Sequence, residues 1–226
     1  MARPRTSPKL KPPKTPRHRP GPEGGTRDTN RKANLDRLCE AGLALFLAEG
    51  TAAVTIDQIA ARAGMAKGSF YRYVEDKAEL VARILEPMVA DTLGALDRCE
   101  AALRSAKPAQ VTAVYLQLGM ELSQAIPRHA SRVLLYLQEA RSPPGGTRAA
   151  VHAFADQVAA RGVALTETAR AQKLIRNVDP QVSAMAVIGA TEAILYAHLR
   201  GRDVSRARAS VVIPELVELV LRGIRE

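Results

Sequence analysis

Two cysteines, four histidines and no tryptophan give a 226-residue chain few groups able to do chemistry. Cys39 and Cys99 stand far apart, and neither sits in a CxxC or Cys/His pattern, which excludes a disulfide scaffold and a structural zinc site. With no basic neighbourhood guaranteed beside either thiol, both read as small apolar residues rather than redox sensors. His18, His129, His152 and His198 are isolated from one another and read as interior or surface side chains. The chain also lacks a glycine-rich phosphate loop after a strand, a nucleophile elbow and an HExxH pair, so neither an enzyme, a metal site nor a cofactor is expected. No positively charged start is followed by an apolar stretch, so the N-terminus does not read as a secretory signal and a cytoplasmic protein is expected. The most apolar stretch, Ala184 to Leu199, is shorter than the roughly 20 residues a bilayer needs and carries Glu192, which argues against a membrane span.

What the chain has is positive charge, and it is unevenly placed. The net charge is +10, yet Met1 to Lys32 holds ten Lys and Arg against Glu23 and Asp28, a balance of +8 that leaves +2 for everything else. The high isoelectric point therefore describes the tail, not the folded body. Seven of the fourteen prolines lie before Glu23. With one leucine and no aromatic residue, Met1 to Gly25 cannot bury enough surface to offset its ordering entropy, and residues 1–29 are expected to form a disordered basic arm. Such an arm can follow phosphates or enter a minor groove, and Arg27, Arg31 and Lys32 lie nearest the folded part.

The segment Thr55 to Tyr73, TIDQIAARAGMAKGSFYRY, carries the most specific pattern. Thr55 can cap a helix through its hydroxyl while Gln58 reaches back to the Thr55 amide. Ile59, Ala60 and Ala63 form a narrow stripe of mostly small side chains, and Gly64 supplies the left-handed residue that ends the helix. A second helix, expected over residues 67–74, turns Phe70, Tyr73 and Val74 inward and leaves Lys67, Gly68, Tyr71 and Arg72 outward, with Ser69 at the edge. Glycine in an exposed helical face costs about 1 kcal/mol against alanine, which is understandable where a ligand must approach the backbone. Lys67 can reach a guanine edge or a phosphate, and Ser69, Tyr71 and Arg72 offer donors to phosphate oxygens. These are the features of a helix-turn-helix.

Together with LCEAGLALFLAEG and the following YVEDKAEL, this segment resembles the DNA-binding region of the tetracycline-repressor (TetR) family over Asn34 to about Leu85. The resemblance rests on Ile59-Ala60, Ala63-Gly64, Gly68-Ser69-Phe70-Tyr71, Tyr73 and Asp76-Lys77. It implies operator contacts by Lys67, Ser69 and Tyr71, with Thr55 also in the interface, Tyr73 presenting its hydroxyl at the edge, and Lys77 holding a phosphate. Thr51, Val54 and Ala66 depart from the family pattern. Ala66 stands where a Ser or Thr cap is common, a loss worth about 1 kcal/mol to the helix it precedes.

The rest reads as helix. Asn34 to Glu49 carries Leu35, Leu38, Leu43, Phe46 and Leu47 on a helical period. Asp76 and Glu79 form a second capping box at the start of a long helix that Pro87 should kink. Further helices are expected over Ala109 to Ile126, Arg128 to Ala140, Thr147 to about Ala171 with a bend at Gly162, Asp179-capped Pro180 to Leu199, and Ser205 to Ile224 bent at Pro214. The fold class is all-α: a three-helix helix-turn-helix domain over residues 30–77 and a helical regulatory and dimerisation domain over residues 78–226, about nine helices in all. The helix before Gly201 is apolar all round, so it needs cover on more than one side, and Gly189, Ala190 and Ala193 allow close approach of a two-fold partner. The resemblance implies a homodimer through the last two helices, with Leu216, Val217, Leu219, Val220 and Ile224 suited to the contact. It also implies a small-molecule effector that lowers affinity for a double-stranded operator. Tyr115, Tyr136, His152, Phe154, Glu192 and Tyr196 are available to line an effector pocket, and all but Glu192 also suit ordinary core packing. Glu192, a carboxylate in an apolar helix, needs a partner such as Arg or Tyr. The alternative is an architectural DNA-binding protein whose large domain only dimerises.

Overall fold

The computed structural model describes residues 26–201 and 215–220, and side chains from Thr29 onward. Among these residues every regular element is helical: α1 (Thr26–Glu49), α2 (Ile56–Arg62), α3 (Lys67–Phe70), α4 (Lys77–Ser105), α5 (Val111–Arg128), α6 (Ala130–Glu139), α7 (Ala149–Ala171) and α8 (Pro180–Leu199), with a further helical stretch, α9, over 215–220. The expected tail up to Gly25, most of the expected last helix with its bend at Pro214, and Ile224 lie outside the described residues.

α1 begins at Thr26 rather than Asn34. The expectation of an unordered arm up to residue 29 is corrected there: the run from Thr26 to Ala33 has no proline or glycine to stop a helix already nucleated by the apolar face that follows. Leu38 and Phe46 of that face are buried. Gly42 lets α1 and α4 touch, because a Cβ there would lie 2.9 Å from Leu80 Cδ2 and 3.3 Å from Ile84 Cδ1.

α4 is shared by both halves of the molecule. Its first turns bury Leu80, Val81, Ile84 and Leu85 in one core with α1, α2, α3, α6 and α7, while Leu96, Cys99 and Leu103 belong to a second core near α5 and the end of α7. Asp76 caps it by accepting from the Glu79 amide at 2.8 Å. The return bond of the expected box is shifted by one residue, since Glu79 accepts from the Glu75 amide at 2.7 Å. The helix is continuous through Pro87. Pro87 lacks the N–H that would bond the Arg83 carbonyl, and the next carbonyl along, that of Ile84, takes a bond from Arg132 Nε of α6 at 2.8 Å.

α7 also runs unbroken through Gly162. Gly162 is a point of close packing: a Cβ there would lie 3.1 Å from both Ala184 Cβ and Ile188 Cδ1 of α8. Asp179 caps α8 by accepting from the amides of Gln181 and Val182, both at 2.9 Å. α8 has the length and composition to cross a membrane, but it packs along α7 and buries Ala184 there. Its opposite side, with Val182, Met185, Ala186, Gly189, Ala190 and Ala193, is exposed.

Candidate nucleic-acid interface

The capping box that opens α2 is complete. Gln58 N–H donates to Thr55 Oγ1 at 3.3 Å and Thr55 N–H donates to Gln58 Oε1 at 2.7 Å. At the other end Gly64 has φ +69. Met65 N–H reaches the Ala60 carbonyl and Gly64 N–H the Ala61 carbonyl, the paired bonds of a Schellman turn that only a left-handed residue closes without strain. Ile59, Ala60 and Ala63 are buried as the stripe requires, and Phe70 and Val74 lock the second helix against them.

That second helix is shorter than its sequence pattern predicts. α3 spans Lys67–Phe70, and Tyr71 to Tyr73 continue as turn. Ala66 supplies no side-chain cap, and the bonds from Ser69 to Ala66, Arg72 to Ser69 and Tyr73 to Phe70 all span three residues, the tighter 3-10 spacing that short helices adopt at their ends. The outward set survives the change. Lys67, Gly68, Tyr71 and Arg72 are exposed and Ser69 is half-buried. No atom lies within 4 Å of where a Gly68 Cβ would stand, so packing inside the chain does not account for glycine there.

Several of these side chains are held in place. Lys67 Nζ pairs with Asp57 in the first turn of α2 at 2.9 Å, a contact that raises its pKa. Arg72 leans on Ser69 Oγ at 3.4 Å. Tyr71 stands edge-on to Phe70 with 5.5 Å between ring centroids. Tyr73 is half-buried, and its hydroxyl accepts from Asn34 Nδ2 at 2.8 Å. Arg31 and Lys32 are exposed on α1, whereas the Arg27 side chain lies outside the described residues.

Lys77 is directed elsewhere than the resemblance implies. Its ammonium donates to the carbonyls of Val54 at 2.6 Å, Thr51 at 3.0 Å and Ala52 at 3.4 Å, which occupies all three of its N–H bonds. It therefore shapes the α1–α2 turn from inside. The same turn is gripped from the far side: Thr51 N–H donates to Glu139 Oε1 of α6 at 2.9 Å, and Arg148 Nε donates to Glu139 Oε2 at 2.5 Å. Burial pushes the Glu139 carboxyl upward, but the Thr51 and Arg148 bonds outweigh it and hold the group below the usual glutamate range. Thr51, one of the departures from the family pattern, is wholly buried at this joint. The Glu139 joint was not predicted from the sequence, although Glu139 falls four residues after buried Leu135 on the inner face of α6.

The residues available for an effector pocket separate into groups. Tyr136 donates to Glu192 Oε1 at 2.5 Å and stacks edge-to-face on Phe154 at 4.9 Å, which supplies the partner Glu192 needs. Burial, reinforced by that bond, pushes the Tyr136 hydroxyl pKa up. Tyr196 packs at the same core and bonds Arg200 at 2.9 Å. His152 Nε2 is buried with no hydrogen-bond partner. Tyr115 lies in the second core, apart from the others. An open depression of about 1080 Å3 is lined by other residues, among them Pro108, Glu167, Arg170, Lys173 and Ile175. Burial raises Cys39 to about 11 and Cys99 to about 12, far from a thiolate sensor. Among the described residues no group of His, Cys, Asp and Glu could hold a metal ion.

Residues 38–84 match the profile of bacterial regulatory proteins of the tetR family. No curated protein resembles the chain in sequence. Among solved structures the fold is similar to NalD, the secondary repressor of the MexAB-OprM multidrug efflux pump in Pseudomonas aeruginosa, with TM-score 0.68, 16% identity, and coverage of 88% of this chain and 98% of that one. SmeT, the repressor of the Stenotrophomonas maltophilia multidrug efflux pump SmeDEF, gives 0.64 and 20%, with 87% and 93% covered. The complex of SmeT with triclosan gives 0.60 and 21%, with 86% and 92% covered.

Proposed function

We infer that this chain, a member of the tetR family of bacterial regulatory proteins through its residues 38–84 and the helical fold behind them, is a dimeric repressor that leaves a near-palindromic operator when a small molecule binds its larger domain. The observation that carries the reading is the outer face of α3: Lys67, open Gly68 and Tyr71 face solvent while Phe70 and Val74 fasten the same segment to the core. A duplex can approach the bare backbone at Gly68 and meet the Lys67 ammonium and the hydroxyls of Ser69 and Tyr71. Thr55, at the N-terminus of α2, and Arg72 flank this face. Arg31, Lys32 and Arg27 extend the positive surface along α1.

Two copies would join through the exposed side of α8 together with α9, setting two readers on one symmetry axis and requiring matched half-sites. The large domain acts by tilting α4, which belongs to both cores. The likeness to SmeT, solved with triclosan, supports a small apolar or amphipathic effector contacting Tyr136, Phe154, Glu192, Tyr196 and His152. A coupling of about 1–3 kcal/mol would change operator affinity roughly 5 to 150-fold. The protein would act in the cytoplasm and perform no catalysis.

The test is selection of duplexes from a random library, followed by footprinting at physiological salt against excess random DNA. A protected, near-palindromic site that Lys67→Ala and Gly68→Val both weaken supports the reading. A complex that random DNA removes completely would make the protein an architectural binder instead.

A further inference from the structure

The polar chain behind Tyr73 has a fixed direction. Arg37 Nη2 donates to Asn34 Oδ1 at 2.7 Å, and Asn34 Nδ2 donates to the Tyr73 hydroxyl at 2.8 Å. A guanidinium only donates, so the Asn34 amide must turn its oxygen to Arg37 and its NH2 to Tyr73. An amide NH2 only donates as well. The Tyr73 oxygen is thereby committed as an acceptor on its inner side, and its own proton has to find an acceptor elsewhere.

The exposed neighbours include basic side chains. Tyr73 is half-buried between α1 and the end of α3, with exposed Tyr71 and Arg72 immediately before it. Arg31 lies one turn before Asn34 on α1 and is exposed. An anion accepting the Tyr73 proton would form a charge-assisted bond, and donors aligned in series from Arg37 through Asn34 strengthen each bond in turn. We propose that Asn34, oriented by Arg37, is a positioning residue of the DNA contact, presenting the Tyr73 hydroxyl as an obligate donor to a backbone phosphate oxygen. The proposal rests on the reading of α3 as a DNA reader and adds to it a residue outside α2 and α3 whose role is polarity rather than contact.

A merely structural reading makes the Asn34–Tyr73 bond a staple between α1 and α3, and the two readings part in a double-mutant cycle. Wild type, Tyr73→Phe, Asn34→Ala, Asn34→Asp and the two double variants are titrated against the duplex that wild type selects from a random library, and each is melted without DNA. Tyr73→Phe keeps the ring and should bind roughly tenfold more weakly, in the range for a hydrogen bond to a charged group. It should leave the slope of log affinity against log salt unchanged, because no charge is lost. Asn34→Ala should weaken binding alone and add nothing in the Tyr73→Phe background. Asn34→Asp, which accepts the Tyr73 proton and turns it inward, should weaken binding more than Asn34→Ala, and part of that excess should disappear in the Tyr73→Phe background. Coupling confined to melting temperature, or an Asn34→Ala loss of equal size in both backgrounds, overturns the proposal and leaves the DNA-reader reading standing. Failure of wild type to select any duplex overturns both.

Discussion

α4 and α8 are both long and rich in apolar residues, yet the chain treats them oppositely. α4 buries Leu80, Val81, Ile84, Leu85, Met88, Ala95, Leu96, Cys99 and Leu103, whereas α8 buries Ala184 alone. The difference lies in sequence pattern. The apolar residues of α4 alternate with Lys77, Glu79, Arg83, Glu86, Asp97, Arg98 and Glu100, which give the helix a face for water. α8 has almost no such face, and one side of it is met by α7 and α6 while the other is exposed among the described residues. In the proposed function the helix completed within its own chain transmits motion, and the one left incomplete recruits a second copy.

The most disruptive way to challenge that contrast is a charge in the open face of α8. Ala190→Glu should split the proposed dimer and weaken binding to the proposed operator by about 100-fold or more, the loss of linked binding at two half-sites, while the fold persists because Ala190 is exposed. Sedimentation and footprinting measure the two effects, and an intact dimer would show that α8 is not the interface. Leu80→Ala, wholly buried where α4 meets α1, should instead cost about 2–5 kcal/mol of stability. Its denaturant curve should keep one transition, because α4 serves both cores. Gly162→Ala sharpens the contrast from the other side of α8: the added methyl would press on Ala184 and Ile188 and should cost about 1–3 kcal/mol by overpacking, read by thermal unfolding.

Acid gives a smaller effect at the joint that ties α6 to the α1–α2 turn. Glu139 is held below its ordinary pKa in the folded protein, so its contribution is full above the unfolded value and is lost as pH falls through the lower, folded one. Glu139→Gln should flatten the acid limb of a stability profile in that interval. Smallest of all, Val182→Ser at a position 67% exposed should change monomer stability by no more than about 0.5 kcal/mol, measured in denaturant under dilute conditions.

Local chemistry made much of this legible before any coordinates. Thr55 with Gln58, Gly64 in its turn, and Phe70 with Val74 are each specified by residues a few positions apart, and each stands in the structure as its pattern requires. The length of α3 was harder to read, because the inward period of Phe70, Tyr73 and Val74 is met almost equally well by an α-helix or by a turn of tighter bonds. Partners distant in sequence left the weakest signal. Nothing near Lys77 announces that three carbonyls before α2 will claim its ammonium, and the bonds from Glu139 to Thr51 and from Asn34 to Tyr73 form only when remote helices meet. Glu192 shows the intermediate case: its apolar helix made a partner necessary, while the identity of that partner, Tyr136, had to come from the fold.

On the proposed function, closure of α3 after a single turn leaves each copy room to meet only a few base pairs through Lys67, Ser69, Tyr71 and Arg72. Those positions lie outside the packing that Phe70 and Val74 maintain, so they can drift while the scaffold stays intact. Replacements there would change the contact of the proposed reader with a duplex while leaving its support from Phe70 and Val74 in place.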